Sequence, residues 1–305
     1  MATPMVKEDT FEFRGYPVWY RIVGEAGDTD RPPLLCLHGG PGAPSDYLEP
    51  FEDLAARGRQ VVFYDQLGCG RSGIEAPHDP AMWSVELFVE EVGAVRDALG
   101  LDRLHLLGQS WGGMLAMQYA LTHPEGVLSL IVESSPASMP QWVAEADRLR
   151  ADLPADIQEA LRTHEEAGTT DDPAYEEAMM VFYRRHVCRL DPWPDYVQRT
   201  FAKLESNPEV YNVMNGPSEF HVIGKLKDWD ITSRLGEIAL PTLVMSGRYD
   251  EATPAIAETI HKGIDGSEWV LFEESSHMCH AEERDRCTAV VADFIDRIEA
   301  APVVR

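Results

Sequence analysis

The chain has 305 residues and a formal net charge of −26, from 52 Asp and Glu against 26 Lys and Arg. With 44% hydrophobic and 26% charged residues, it falls outside the disordered and fibrous classes and is long enough to bury a sizeable core. So acidic a chain lacks the clustered Lys and Arg that phosphates and anionic membranes attract, which argues against nucleic-acid and membrane partners. The charge itself reads either as a hydrated surface or as a field that draws cationic substrates.

Apolar stretches such as Leu34 to Leu37 and Leu128 to Val132 fall far short of the roughly 20 residues that span a bilayer. Met1 to Arg14 mixes charges of both signs without an apolar segment, so no secretory signal is expected and the location predicted is cytoplasmic. Cys36, Cys69, Cys188, Cys279 and Cys287 are odd in number and scattered. That pattern predicts reduced thiols and no metal site.

In chain order, Phe11 to Val23 predicts a hairpin turning near Gly15. Pro33 to Leu37 and Gln60 to Tyr64 read as short buried strands, the first running into His38-Gly39-Gly40-Pro41-Gly42 and the second ending at Asp65. Ser84 caps an amphipathic helix whose face is Leu87, Val89, Val92, Val95 and Leu99. A strand at Leu104 to Leu107, a helix at Gly112 to Thr122 and a strand at Val127 to Val132 continue the alternation. Strand and helix in turn predict an α/β fold, a mostly parallel central sheet flanked by helices.

The pattern changes between Pro136 and about Leu240, where Glu-rich and aromatic helical segments run without a buried strand. We expect a helical cap over 137–237, inserted into a core built from 1–136 and 238–305. Strands resume at Thr242 to Ser246 and at Trp269 to Phe272, each followed by a helix, the last from about Ala281 to Ala300.

The chemistry centres on Gly108-Gln109-Ser110-Trp111-Gly112, between an apolar strand and a helix. G-x-S-x-G in that setting is a nucleophile elbow, a turn so tight that small residues must flank the exposed serine. A serine hydroxyl needs a base, and the base needs an orienting carboxylate. In an α/β-hydrolase fold these follow in the order Ser, acid, His, each after a later strand. Asp250 follows the Thr242 to Ser246 strand and His277 follows the Trp269 to Phe272 strand. Asp65 and Glu251 compete for the acid; His280 competes for the base, with a capping or structural role expected for it. The tetrahedral intermediate needs amide donors, for which Gly40 and Trp111 are the candidates.

Together with Asp65-Gln66-Leu67-Gly68-Cys69-Gly70-Arg71-Ser72, Gly247-Arg248-Tyr249-Asp250-Glu251 and Ser275-Ser276-His277, these motifs resemble the proline iminopeptidases, a family of α/β-hydrolase serine peptidases. The resemblance spans nearly the whole chain. It implies a cap over a closed pocket, no metal or organic cofactor, and a small substrate: a short peptide losing its N-terminal residue, or an amino-acid amide or arylamide. Gln109 and Leu67 stand where strict prolyl enzymes carry Gly and Arg, which is similar to the tricorn-associated aminopeptidase and L-amino-acid amidase branches. The Gly216-Pro217-Ser218-Glu219-Phe220 stretch resembles a cap segment of the former. By that resemblance Glu219 and Glu251 hold the substrate's free amino group, with Tyr211 a weaker candidate. The rival readings are a capped esterase or amidase acting on acyl groups without a free amine, and a catalytically silent ligand-binding α/β-hydrolase. Oligomeric state is not legible.

Overall fold

The computed structural model describes residues 4–25, 31–74 and 78–301. Strands β1 (Val6–Phe13) and β2 (Tyr16–Val23) form the hairpin, turning over Arg14-Gly15 at φ values of 53° and 84°. The first strand begins five residues before the expected Phe11. Its outer half, Val6 to Thr10, lies exposed at the sheet edge, so it carries no burial periodicity to read, and its charges discourage edge-to-edge pairing.

The remaining strands are β3 (Leu34–Leu37), β4 (Val61–Tyr64), β5 (Leu104–Gln109), β6 (Val127–Glu133), β7 (Thr242–Gly247) and β8 (Glu268–Phe272). They make one sheet in the order β1-β2-β4-β3-β5-β6-β7-β8, parallel from β4 onward. Alternate residues feed two apolar layers: Leu35, Leu37, Leu104 and Leu106 pack on one face, and Leu34, Cys36 and Leu107 on the other. Between β3 and β4 lies a 3-10 segment, Ser45–Arg57, burying Tyr47, Leu48, Phe51 and Leu54. The sequence reading passes over it.

Helix α1 (Val85–Leu99) starts where expected, with Ser84 Oγ accepting the Leu87 N–H at 3.2 Å, and stops at Gly100, φ 65°. Helix α2 (Trp111–Thr122) follows β5 directly. Five helices then run between β6 and β7: α3 (Met139–Arg150), α4 (Ala155–Ala167), α5 (Pro173–His186), α6 (Asp195–Ser206) and α7 (Glu209–Met214). Helix α6 is tied to the segment after β3. Asp46, buried, receives Arg71, Arg199 and Lys203, and the Tyr47 N–H donates to Thr200 Oγ1 at 3.0 Å. Burial raises the Asp46 carboxyl, but Arg71 and Lys203 outweigh it and hold the group below its usual range.

After β7 come α8 (Pro254–Gly263), β8, and two helices, α9 (Cys279–Glu282) and α10 (Arg284–Ala300). A single last helix from Ala281 was expected. It is interrupted at Glu283, φ −123° and ψ 51°, whose carboxylate reaches back to Ser275 Oγ at 2.7 Å and the Glu274 N–H at 3.2 Å. No described helix is long and apolar enough to cross a membrane.

The β5–α2 junction is closely packed. A Cβ on Gly108 would sit 2.0 Å from the Gly112 carbonyl oxygen, and one on Gly112 would sit 2.0 Å from that of Leu37. Backbone cannot yield as a flexible side chain does. We therefore expect Gly112→Ala to lose about 3 kcal/mol or more, read from urea unfolding midpoints. A shift below about 1 kcal/mol would mean that β3 and α2 can separate there.

Candidate active site

In an open α/β sheet, ligands gather at the carboxyl ends of the strands, near the point where strand order reverses. Here that point lies between β3 and β5, with β4 on the far side of β3. The glycine-rich turn His38 to Gly42 leaves β3 there, Ser110 leaves β5, Asp250 follows β7 and His277 follows β8. Four segments distant in sequence thus converge on one edge.

Ser110 is the single residue between β5 and α2, at φ 57° and ψ −125°. Such a left-handed conformation costs a non-glycine residue of order 1–3 kcal/mol. It is held by the Ser110 N–H donating to the Glu133 carbonyl at 2.9 Å and by the Gly108–Gly112 contact. Asp250 and His277 are buried and meet directly: Nδ1 of His277 lies 2.7 Å from Asp250 Oδ1. The same carboxylate accepts the Ala252 N–H at 2.8 Å. With Nδ1–H donated to Asp250, Nε2 is left to act as the acceptor. Ser110 and His277 line one cavity with no direct hydrogen bond between them among the described residues. Bonds of this kind are often long before substrate engages. Burial pulls the His277 imidazole down, but the charges of Asp250 and Glu219 outweigh it and leave its pKa above the ordinary histidine value.

The two candidate amide donors sit on either side. Gly40 has φ 107°, and a Cβ there would lie 2.6 Å from the Gly42 and Ala43 nitrogens, so the turn requires glycine. Among the described residues, neither the Gly40 nor the Trp111 N–H has a partner. The Trp111 amide opens helix α2, where the first N–H groups have no intrahelical acceptor and the dipole favours negative charge. The preceding amide, Gly39, is already used, donating to Tyr47 Oη at 2.6 Å.

Glu219, Glu251 and Tyr211 come together from the segment between β6 and β7 and from the loop after β7. Tyr211 Oη donates to Glu219 Oε1 at 2.7 Å, and Glu251 Oε1 lies 3.7 Å from His277 Nε2. Glu251 is 1% exposed, and neither of its oxygens has a hydrogen-bond partner among the described residues. Burial, then the like charges of Glu219 and Asp250, push its carboxyl well above the usual range. Burial also raises Glu219, against the pull of His277 and of the Tyr211 hydrogen bond.

The competitors have other duties. Asp65 accepts four donors, the N–H and Oγ of Ser45 and the N–H and Nη1 of Arg71. It staples two loops and has no capacity left. His280 is buried against Glu133, Nδ1 to Oε1 2.8 Å, and stacks on Phe51. Cys279 donates to the same oxygen at 2.8 Å, its thiol kept protonated by burial and by neighbouring Cys287.

Three further contributors join these residues. The Trp142 ring meets His277 edge-on at 5.9 Å and its Nε1 donates to the Glu219 carbonyl at 2.7 Å. Tyr183 Oη accepts the Glu219 N–H at 3.3 Å. The sequence leaves the aromatics between β6 and β7 open between lining an apolar pocket and packing, with packing the safer reading for most. The His186 carbonyl at the end of α5 accepts the N–H of Glu251 at 3.3 Å and of His277 at 3.2 Å; a backbone oxygen carries no sequence signal. Two small adjoining cavities share Gly40, Ser110 and Glu219 as walls. Met114, Met139, Trp142 and Leu226 make the first apolar; Glu251 and His277 line the second.

Residues 32–284 match the family described as alpha/beta hydrolase fold. The chain is 40% identical over 301 residues to the proline iminopeptidase of Saccharolobus solfataricus, covering 98% of this chain and 96% of that one. Among solved structures, the proline iminopeptidase of Mycobacterium smegmatis superposes with a TM-score of 0.87 at 42% identity, covering 96% of this chain and 98% of its own. VinJ superposes with a TM-score of 0.92 at 43% identity over 96% and 99%. The strand order, the elbow and near-full-length identity lead to one assignment: the chain belongs to the proline iminopeptidase family of α/β-hydrolase-fold enzymes.

Proposed function

We propose that the protein is a serine aminopeptidase that releases the N-terminal residue, proline or another apolar residue, from short peptides, or cleaves the corresponding amino-acid amides and arylamides. The observation that carries this reading is Glu251. A buried carboxyl with both oxygens unpaired among the described residues is costly to ionise, and that cost is offset when a cation enters. The substrate's ammonium, bound between Glu219 and Glu251, supplies that cation and satisfies both oxygens by charge-assisted hydrogen bonds.

The remaining geometry then orders the chemistry. With the amine anchored, the first carbonyl lies against Ser110 and its oxygen points to the Gly40 and Trp111 amides. His277 Nε2 takes the Ser110 proton as Oγ attacks, and Asp250 stabilises the imidazolium. Nε2 returns that proton to the leaving amine, the C–N bond breaks, and water repeats the cycle on the acyl-enzyme. Because the anchor admits a single residue before Ser110, cleavage falls after the first residue. The apolar walls Met114, Met139, Trp142 and Leu226 suit an apolar first side chain. The helices between β6 and β7 serve as the cap that keeps the amine away from bulk water.

The test is release of p-nitroaniline from Pro-, Ala-, Leu- and Phe-p-nitroanilide beside their N-acetylated forms. Free-amine substrates are expected to turn over and acetylated ones not to. Ser110→Ala should abolish turnover and Asp250→Asn should lower kcat on the order of 10³–10⁴-fold. Glu219→Gln and Glu251→Gln should raise KM roughly tenfold or more, the worth of one charge-assisted hydrogen bond. Equal turnover of acetylated substrates would overturn the amine anchor.

The raised His277 pKa gives the pH profile a sign. The base must be neutral, so kcat/KM, which reports the free enzyme, should fall as pH drops through a value above the ordinary histidine range. Removing the Glu219 charge removes one of the groups that raise it. The acid limb of Glu219→Gln should therefore move to lower pH, and an unmoved limb would separate Glu219 from the base.

A further inference from the structure

Gln109 has no duty in the mechanism above, and elbow packing does not demand it, since Gly108 and Gly112 make the close contacts. Yet its amide is 1% exposed and bonded at both ends. Its Oε1 accepts the Tyr47 hydroxyl at 2.6 Å, and its Nε2 donates to the His277 carbonyl at 3.0 Å. Tyr47 Oη in turn accepts the Gly39 N–H at 2.6 Å. One chain of three buried hydrogen bonds therefore joins the turn after β3, the residue before Ser110, and the loop after β8.

We propose that Tyr47 and Gln109 are positioning residues, a relay that holds the Gly40 amide and the His277 imidazole in register with Ser110. The inference rests on the reading of Ser110 as nucleophile, and it does not involve the amine anchor. The phenol has one proton, so a hydroxyl that accepts from Gly39 must donate to the oxygen of Gln109. That sets the amide's orientation and turns its NH₂ toward the His277 carbonyl. Every link then has one allowed direction. Burial keeps the Tyr47 hydroxyl protonated, its pKa well above the usual phenol value.

The ends of the relay are where registry matters. Gly39 precedes the Gly40 amide by one peptide bond, and the Gly39 carbonyl is held in turn by the Ala43 N–H at 3.3 Å. At the other end, the bond to the His277 carbonyl fixes the backbone of the base, and Asp250 fixes its ring. Tyr47 is itself pinned by the Thr200 hydroxyl at 3.0 Å and by the His280 ring at 5.5 Å between centroids. The oxyanion turn and the base are attached to different strands, and Gln109 is the side chain that ties both to the elbow. A misplacement of about 1 Å among reacting groups can cost on the order of 10²-fold in rate.

The experiment compares wild type, Tyr47→Phe, Gln109→Met and the double variant in the rate of Ser110 labelling by a fluorophosphonate. Phosphonylation needs the serine, the base and the oxyanion amides but no amino group, so its outcome is independent of Glu219 and Glu251. Each single variant should label at least tenfold more slowly, and the double no more than about threefold slower than the slower single, as for members of one unit. With free-amine p-nitroanilides, kcat should fall by a similar factor while KM stays within about threefold. Both substitutions nearly conserve volume, and thermal melts report which variants fold; either alone decides. Labelling rates within twofold of wild type, whatever the melting temperature, would overturn the relay and leave Tyr47 and Gln109 as packing. Independent, multiplying losses in the double would overturn it as a unit. Failure of the wild type to label would overturn the serine reading, and this inference with it.

Discussion

The close approach of β3, β5 and α2 at Gly108, Gly112 and the Leu37 carbonyl is the constraint from which the rest of the site follows. With no room for a Cβ at either glycine, the chain turns from strand to helix within one residue. Ser110 then has no choice but a left-handed backbone, which lifts its side chain clear of the sheet. The same contact brings the first amide of α2 and the glycine-rich turn after β3 alongside the hydroxyl. The candidate nucleophile and amide donors are thus placed by a single packing arrangement.

Electrostatics supplies the second organising theme. The site gathers Asp250, Glu251 and Glu219 around one imidazole in a poorly hydrated space, at a desolvation cost that proteins seldom accept without pairing. Comparison within the molecule is informative. Asp65 is saturated by four donors, and the buried Glu133 and Glu91 each keep one oxygen paired. Glu251 keeps neither. Saturated acids hold loops together, whereas the unsaturated Glu251 beside Ser110 and His277 is what the proposed amine anchor rests on.

Legibility in the sequence tracked locality. The parallel strands, the Ser84 cap and the elbow are written in contiguous residues whose period or sterics has one reading, and each was found within a few residues. The outer half of β1 was missed because an exposed edge has no inward face to reveal it. The 3-10 segment Ser45–Arg57 was missed because it lacks a long regular period. The last helix was read as unbroken because Glu283 interrupts it through contacts with Ser275 and Glu274, which lie in the preceding loop. Of the site, Ser110, Asp250 and His277 were legible by order along the chain, and Glu219 only by resemblance. Tyr183, Trp142 and the His186 carbonyl had no distinguishing local signal.

The sequence by itself determined the fold class, the elbow and the order of the candidate nucleophile, acid and base, because these depend on short-range sterics and on strand succession. Only the tertiary structure decided which carboxylates are satisfied and which are left open. It alone showed what holds Asp65 and His280 elsewhere, and joined Gly39, Gln109 and His277 through Tyr47. Hydrogen-bond saturation and desolvation are properties of groups brought together from distant segments, and no window of sequence contains both partners.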